Sequence, residues 1–410
     1  MSTQLTQIRN NRQKNLVFPE VPVVFKGRFP SGYVNDCKGW NFTKDEREQA
    51  KKSGSLLTMD LDMYGEPSCE LHCPHCFNKV SGMIENLDQL MGEDQIKRLV
   101  LDAKSIGLRS IKIIGPGEPL DSIDILVFLE FLRINDITPL IFTKGHVFGD
   151  DTHSLGVHGM DSAEFIKRVD DLGVSILFGA NSFDPFTQGE IVGADWYPGK
   201  RNLALERLAE AGFNKYVPNQ PTRLSLIANP ILPNNVDEIF QIYAWAQERN
   251  IYIISSPTMV SGDNADPRIH KAMTPDEGTL FDLYMKINMW AVERGVFNPG
   301  NSEISDEHKA GIVSPYIGSR HCQQVPFGLF VRRDGVVLRC PGDSTSIQGN
   351  AKTTSIIEIW EKSENRNRFQ SEFPYGCPPK EGKTIPFGFL AQVAEEIKKR
   401  LILKPGPEEK

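Results

Sequence analysis

Residues 55–79 read SLLTMDLDMYGEPSCELHCPHCFNK, and the first nine predict a buried strand that carries three cysteines just past its C-terminal end. Cys69, Cys73 and Cys76 follow the spacing C-x3-C-x2-C, three thiols within eight residues. Thiolates so placed suit one face of a [4Fe–4S] cube and leave the fourth iron without a protein ligand. Structural zinc, with His72 or His75 as fourth ligand, is a competing reading, although zinc sites favour paired C-x2-C spacings. A Cys73–Cys76 redox pair is another, and it gives Cys69 no role.

Outward from this stretch the chain repeats a strand followed by a helix. GEDQIKRLVLDAKSIG (92–107) has helical spacing at Ile96, Leu99, Val100 and Ala103, with Gly107 placed to end it. RSIKIIG, TPLIFT, VSILFGA, TRLSLIA and IYIISS are further strands, each followed by a helical segment. Their continuous apolar character is that of buried parallel strands. Six units fall short of the eight of a closed barrel, so the expected fold is α/β, a partial (β/α)6 TIM-like barrel. Thr274, Pro275 and Glu277 predict the start of its last helix. The expected organisation is an N-terminal extension (1–54), the barrel (55–295), a polar bridge (296–320), a smaller α+β domain (321–385), and a final helix and tail (386–410). LFVRRDGVVLRC, centred on Asp334-Gly335, predicts a hairpin in the smaller domain.

Of 410 residues, 40% are hydrophobic, enough for a large core. The 46 basic and 53 acidic residues leave a net charge of −7, which speaks against a nucleic-acid partner. No apolar run has the length of a membrane span, so the expected location is the cytoplasm, with no membrane partner. Seven cysteines, thinly spread apart from the first triplet, do not make a secreted disulfide framework.

A second motif, IIGPGEPL (113–120), follows the second strand. Glycines at 115 and 117 let backbone approach a ligand, and Glu118 offers an acceptor for an ammonium group. With the cysteines one unit upstream, the pattern resembles the radical S-adenosylmethionine (radical SAM) family, with His75 at the apolar place of C-x3-C-x-Φ-C and Pro116 where glycine is more usual. The resemblance implies a [4Fe–4S] cluster on Cys69, Cys73 and Cys76, and SAM bound near His75, Gly115, Gly117, Glu118 and Pro119. It extends to Thr143 in FTKG, where Lys144 replaces an asparagine, and to Ser182, Gly193, Asn229 and Met259 at later strand ends.

Cys322, Cys340 and Cys377 resemble the SPASM or twitch extension of that family, which implies a second, auxiliary [4Fe–4S] cluster. The family's C-x-x-C is replaced here by GCPPK, with Lys380 in the last place, so the fourth ligand is open. Cys37 reads as a packed thiol or that missing ligand. His146, His153 and His158 fall in a long loop that reads as a solvated excursion or a substrate lid, and no spacing there resembles a second metal site. The implied function is reductive cleavage of SAM to a 5′-deoxyadenosyl radical that abstracts hydrogen from a small metabolite, with a ribosomally made peptide or protein side chain as alternative. The implied electron donor is a reduced flavodoxin or ferredoxin. A zinc-dependent barrel hydrolase and a non-catalytic iron–sulfur electron carrier are the readings from other classes.

Overall fold

The computed structural model describes residues 14–62, 69–76, 90–115, 117–262, 266–296, 314, 316–319, 322–370, 377 and 380–403. Residues 1–13 of the extension, Pro116, most of the bridge and the tail from 404 lie outside the described residues.

Six parallel strands run in the order of the chain: β1 (Thr58–Asp62), β2 (Ser110–Ile113), β3 (Thr138–Thr143), β4 (Ser175–Gly179), β5 (Leu224–Ile227) and β6 (Tyr252–Ile254). This is the partial (β/α)6 barrel expected. On the far side of β1 the sheet continues into β7 (Gly328–Arg332), parallel to it, and then antiparallel into β8 (Val336–Leu338) and β9 (Ile347–Asn350). The smaller region therefore shares the barrel's sheet: Met59 pairs with Ile111 on one side and Leu329 on the other. Asp334 and Gly335 turn the β7–β8 hairpin, with Asp334 accepting from the Val336 amide and Gly335 at φ +86°.

The strands' outward residues, among them Met59, Ile111, Ile141, Ile176 and Leu226, pack with helix residues such as Leu99, Phe128, Phe165, Leu205 and Ile242 in the main core. The helices are α1 (Lys44–Ser53), α2 (Glu93–Ser105), α3 (Ile125–Ile134), α4 (Asp151–His158), α5 (Ser162–Asp171), α6 (Pro185–Val192), α7 (Tyr197–Glu210), α8 (Ile239–Glu248), α9 (Pro267–Met273), α10 (Glu277–Arg294), α11 (Gln324–Phe327), α12 (Ile356–Lys362) and α13 (Phe389–Leu403). Two details depart from the sequence reading. Asp276, not Thr274, caps α10 by accepting from the Thr279 amide, while the Thr274 hydroxyl donates to the His270 carbonyl and closes α9. The expected loop after β3 is ordered as a short 3-10 turn (His146–Gly149) and α4, capped by Asp150.

Residues 37–40 of the extension form the barrel floor. Cys37 bridges to Thr222, Lys38 accepts from the Ser175 hydroxyl, and Cys37 and Trp40 pack against Leu140, Leu177, Ile227, Tyr252 and Ile254 inside the barrel. At the open side, Ile317 donates to the Ser255 carbonyl and Val260 bridges to Asp343, joining the β6 end to the segment after β8. The mouth, at the strand C-termini, is left as the place for a site.

Candidate active site

The segment carrying the first three cysteines is seated on the C-terminal end of α6. The His72 amide donates to the Val192 carbonyl at 2.8 Å, the Cys73 thiol lies 3.9 Å from the same oxygen, and the Cys76 amide closes a turn onto the Cys73 carbonyl. Gly193 permits this approach. It sits at φ +68°, and a Cβ there would lie 2.9 Å from the His72 Cβ and 3.0 Å from its carbonyl oxygen. Cys69, Cys73 and Cys76 are half-buried. Burial pushes Cys69 up to about 11, and the negative fields of Glu118, Cys73 and Cys76 add to the rise, which places all four groups together. His75 is brought down to about 3 by burial and by Lys144, so its ring is neutral at pH 7.

Glu118 is the hub of the neighbouring strand ends. It is 4% exposed and accepts from the Leu120 amide, the Thr143 hydroxyl and the Lys144 amide, the last at 2.7 Å. Gly115 and Gly117, at φ +139° and +73°, turn the chain into it, and Pro119 opens the 3-10 turn that follows. Burial and the Asp121 charge raise the Glu118 carboxyl, against His146 and the hydrogen bonds from Thr143 and Lys144. Tyr197, which no motif flagged, ties the ends of β3 and β4 together by donating toward the Lys144 and Gly179 carbonyls. Lys144 brings a cation to the mouth, 3.4 Å from the Asn181 side-chain oxygen.

The remaining residues of the expected SAM site are distributed more widely. Ser182 is fully buried; its hydroxyl donates to Glu238 at 2.6 Å and accepts from the Asp184 amide. The Asn229 side-chain oxygen accepts from the Ser256 hydroxyl at the ends of β5 and β6. Met259 lies toward the second cysteine triplet: a Cβ on Gly342 would be 3.8 Å from Met259 Sδ and 3.7 Å from Cys340 Sγ.

Cys322, Cys340 and Cys377, distant in sequence, come together, the first two buried and Cys377 half-buried. Burial raises Cys340 well above its usual range, and the neighbouring Cys377 and Cys322 raise it further. Cys377 is pushed up to about 12 by burial, against the Lys380 charge. For Cys322 burial outweighs hydrogen bonds from the Gln324 and Val325 amides and from Tyr316. Lys380 stands among the three sulfurs, its ammonium donating to the Ser256 hydroxyl and the Pro257 carbonyl at 2.6 and 2.5 Å, and burial brings it down to about 8. Lys112 adds a second buried cation, 3.4 Å from Asp60 and bonded to Thr58 and Gln324. Cys37 is on the floor, and the groups that shift it are Asp36, Ser175, Arg223 and Lys38, with no other cysteine among them.

Residues 66–219 match the family described as the Radical SAM superfamily. This stretch, which holds the first cysteine triplet and Glu118, is similar to the radical SAM superfamily of enzymes. GTP 3′,8-cyclase of Clostridium perfringens (strain SM101 / Type A) is 31% identical over 94 residues, 22% of this chain and 29% of that protein. The chain thus spans under a third of the length of the curated relatives it matches. Streptococcus suis SuiB, solved bound to precursor peptide SuiA, superposes with a TM-score of 0.53 at 15% identity, over 80% of this chain and 70% of that one. The anSMEcpe structure with bound AdoMet gives a TM-score of 0.54 at 14% identity, over 84% of this chain and 98% of that one. These likenesses establish the fold.

The residues fit the superfamily's cofactors. Three half-buried thiols, with the fields of Cys73 and Cys76 reaching Cys69, are a suitable arrangement for a metal cluster that takes them as thiolates. Glu118 is the carboxylate whose field reaches Cys69. Tyr197 and Glu238 went unremarked in the sequence because nothing local marks them, and Lys144 was noted only as a replacement for asparagine; the strand order brings all three to the mouth.

Proposed function

We propose that this radical SAM chain acts on a small metabolite of sugar, aminocyclitol or nucleotide type, in natural-product or cofactor biosynthesis, with a reduced flavodoxin or ferredoxin as electron donor. When bound, the cluster and SAM supply a 5′-deoxyadenosyl radical for hydrogen abstraction. The chain's own residues bind and orient. Cys69, Cys73 and Cys76 hold the cluster, Glu118 faces the SAM ammonium while fixing Thr143 and Lys144, and the neutral His75 flanks them without competing charge. Cys322, Cys340 and Cys377 hold an auxiliary cluster, and Lys380 offsets its thiolate charge.

The observation that carries the small-substrate reading is the barrel floor. Residues 37–40 close the barrel from below, with Cys37 and Trp40 inside it, while Val17 and Val24 bond to the Phe183 and Glu248 carbonyls, so the described extension packs on the barrel instead of standing off as a peptide-holding unit. The test is formation of 5′-deoxyadenosine by reduced holoenzyme supplied separately with a low-mass metabolite fraction and a peptide fraction. Stimulation by the low-mass fraction is expected. Stimulation by the peptide fraction alone would replace this reading with a peptide maturase.

A further inference from the structure

Four segments at the barrel mouth turn two imidazoles and two carboxylates toward one another, outside both cysteine groups. Glu70 lies one residue past Cys69, Asp121 ends the turn Pro119–Asp121, His146 opens the turn after β3, and His153 lies on α4. Ligand atoms of Glu70, His146 and His153 all lie within 4.8 Å of one another. Asp121 joins them, its two oxygens 2.8 Å from His153 Nε2 and 3.6 Å from His146 Nε2.

An ordinary ion-pair cluster would leave its partners bonded, and His146 is not. It is 1% exposed, and neither ring nitrogen has a hydrogen-bond partner. The 3.6 Å approach of Asp121 is too long to count as one. Buried polar side chains are nearly always satisfied, and one left over calls for a ligand or ion. Its Nε2 faces the Asp121 carboxylate within the cluster.

We propose that Glu70, His146 and His153, with Asp121 in the fourth position, bind one divalent transition-metal ion of the zinc type. Two imidazoles with carboxylate oxygens are a borderline donor set that suits zinc and its first-row neighbours, whereas magnesium and calcium favour all-oxygen shells. Donors about 2.0–2.2 Å from zinc sit roughly 3.4 Å apart in a tetrahedron, and the exposed Glu70 side chain can rotate to close that distance. Binding displaces protons and involves no change of oxidation state. The ion ties the segment that carries Cys69 to the β3 turn and α4, and so adds a second anchor for the first-cluster ligands besides α6.

The test adds zinc to the anaerobically reconstituted two-cluster protein, removes free metal by desalting, and measures zinc and iron together with zinc X-ray absorption. Expected are about one zinc per chain, iron undiminished, and a nitrogen/oxygen shell at about 2.0–2.1 Å without sulfur. Glu70→Gln, at an exposed position, and His153→Gln, at a partly exposed one, should each weaken zinc retention more than about tenfold with iron unchanged. Zinc lost on desalting, a sulfur shell at about 2.3 Å, or retention equal to wild type in both variants would overturn the proposal. None of these readouts depends on SAM cleavage, so failure here leaves the radical SAM reading untouched.

Discussion

Glu118 and Ser182 were expected from the sequence to meet SAM, and the structure gives them different surroundings. Glu118 has three donors on its carboxylate and stands near Cys69. A lost charge-assisted hydrogen bond costs about 1.5–3 kcal/mol, so Glu118→Ala is expected to weaken SAM binding about ten- to a hundredfold with iron content intact, measured by equilibrium dialysis. Unchanged affinity would remove Glu118 from the site. Ser182 is buried against Glu238, which also pairs with Lys14 at 2.8 Å. Ser182→Ala leaves that carboxylate short of a donor and should cost about 1–3 kcal/mol in a urea titration; a stability within 0.3 kcal/mol of wild type, roughly the error of such a titration, would contradict this account. The cysteines and glycines of the site were legible because their spacing is local. Tyr197 and Glu238 were not, and Lys144 was noted only as a replacement for asparagine, because their roles depend on which strand ends are neighbours.

At the scale of elements, the six barrel strands were legible, since buried parallel strands announce themselves as apolar runs, and RSIKIIG, TPLIFT and VSILFGA contain β2, β3 and β4; β9, short and largely polar, was not. What failed were choices decided by competition between nearby side chains. Asp276 displaced Thr274 as the α10 cap, and a run with three histidines and several polar residues, taken for a loop, forms α4 because Asp150 caps it and Gly159 ends it at φ +68°. The seat of the cysteine segment on α6 was also invisible from sequence, as it rests on a contact between Gly193 and His72 more than a hundred residues apart. Gly193→Ala adds a Cβ 2.9 Å from the His72 Cβ at a left-handed φ, so the segment must shift. The expected outcome is selective loss of iron from the first cluster during anaerobic desalting, with the second retained. Iron retention equal to wild type would show that the seat is not needed.

At the scale of the whole molecule, one sheet joins both cysteine groups, because β7 pairs with β1 and the segment after β8 reaches back to the end of β6. Two separate triplets imply about eight irons per chain after anaerobic reconstitution, and about four in a Cys69/Cys73/Cys76 triple alanine variant. About four in the wild type would mean that Cys322, Cys340 and Cys377 hold no cluster. No helix among the described residues is long and apolar enough to cross a membrane. The central claim, that the first triplet and Glu118 form a working SAM site, is tested most directly by measuring 5′-deoxyadenosine from reconstituted, dithionite-reduced protein given SAM. The expected result is product from the wild type and none from Cys73→Ala; a fully iron-loaded wild type that releases none, or a variant that releases as much, would contradict it.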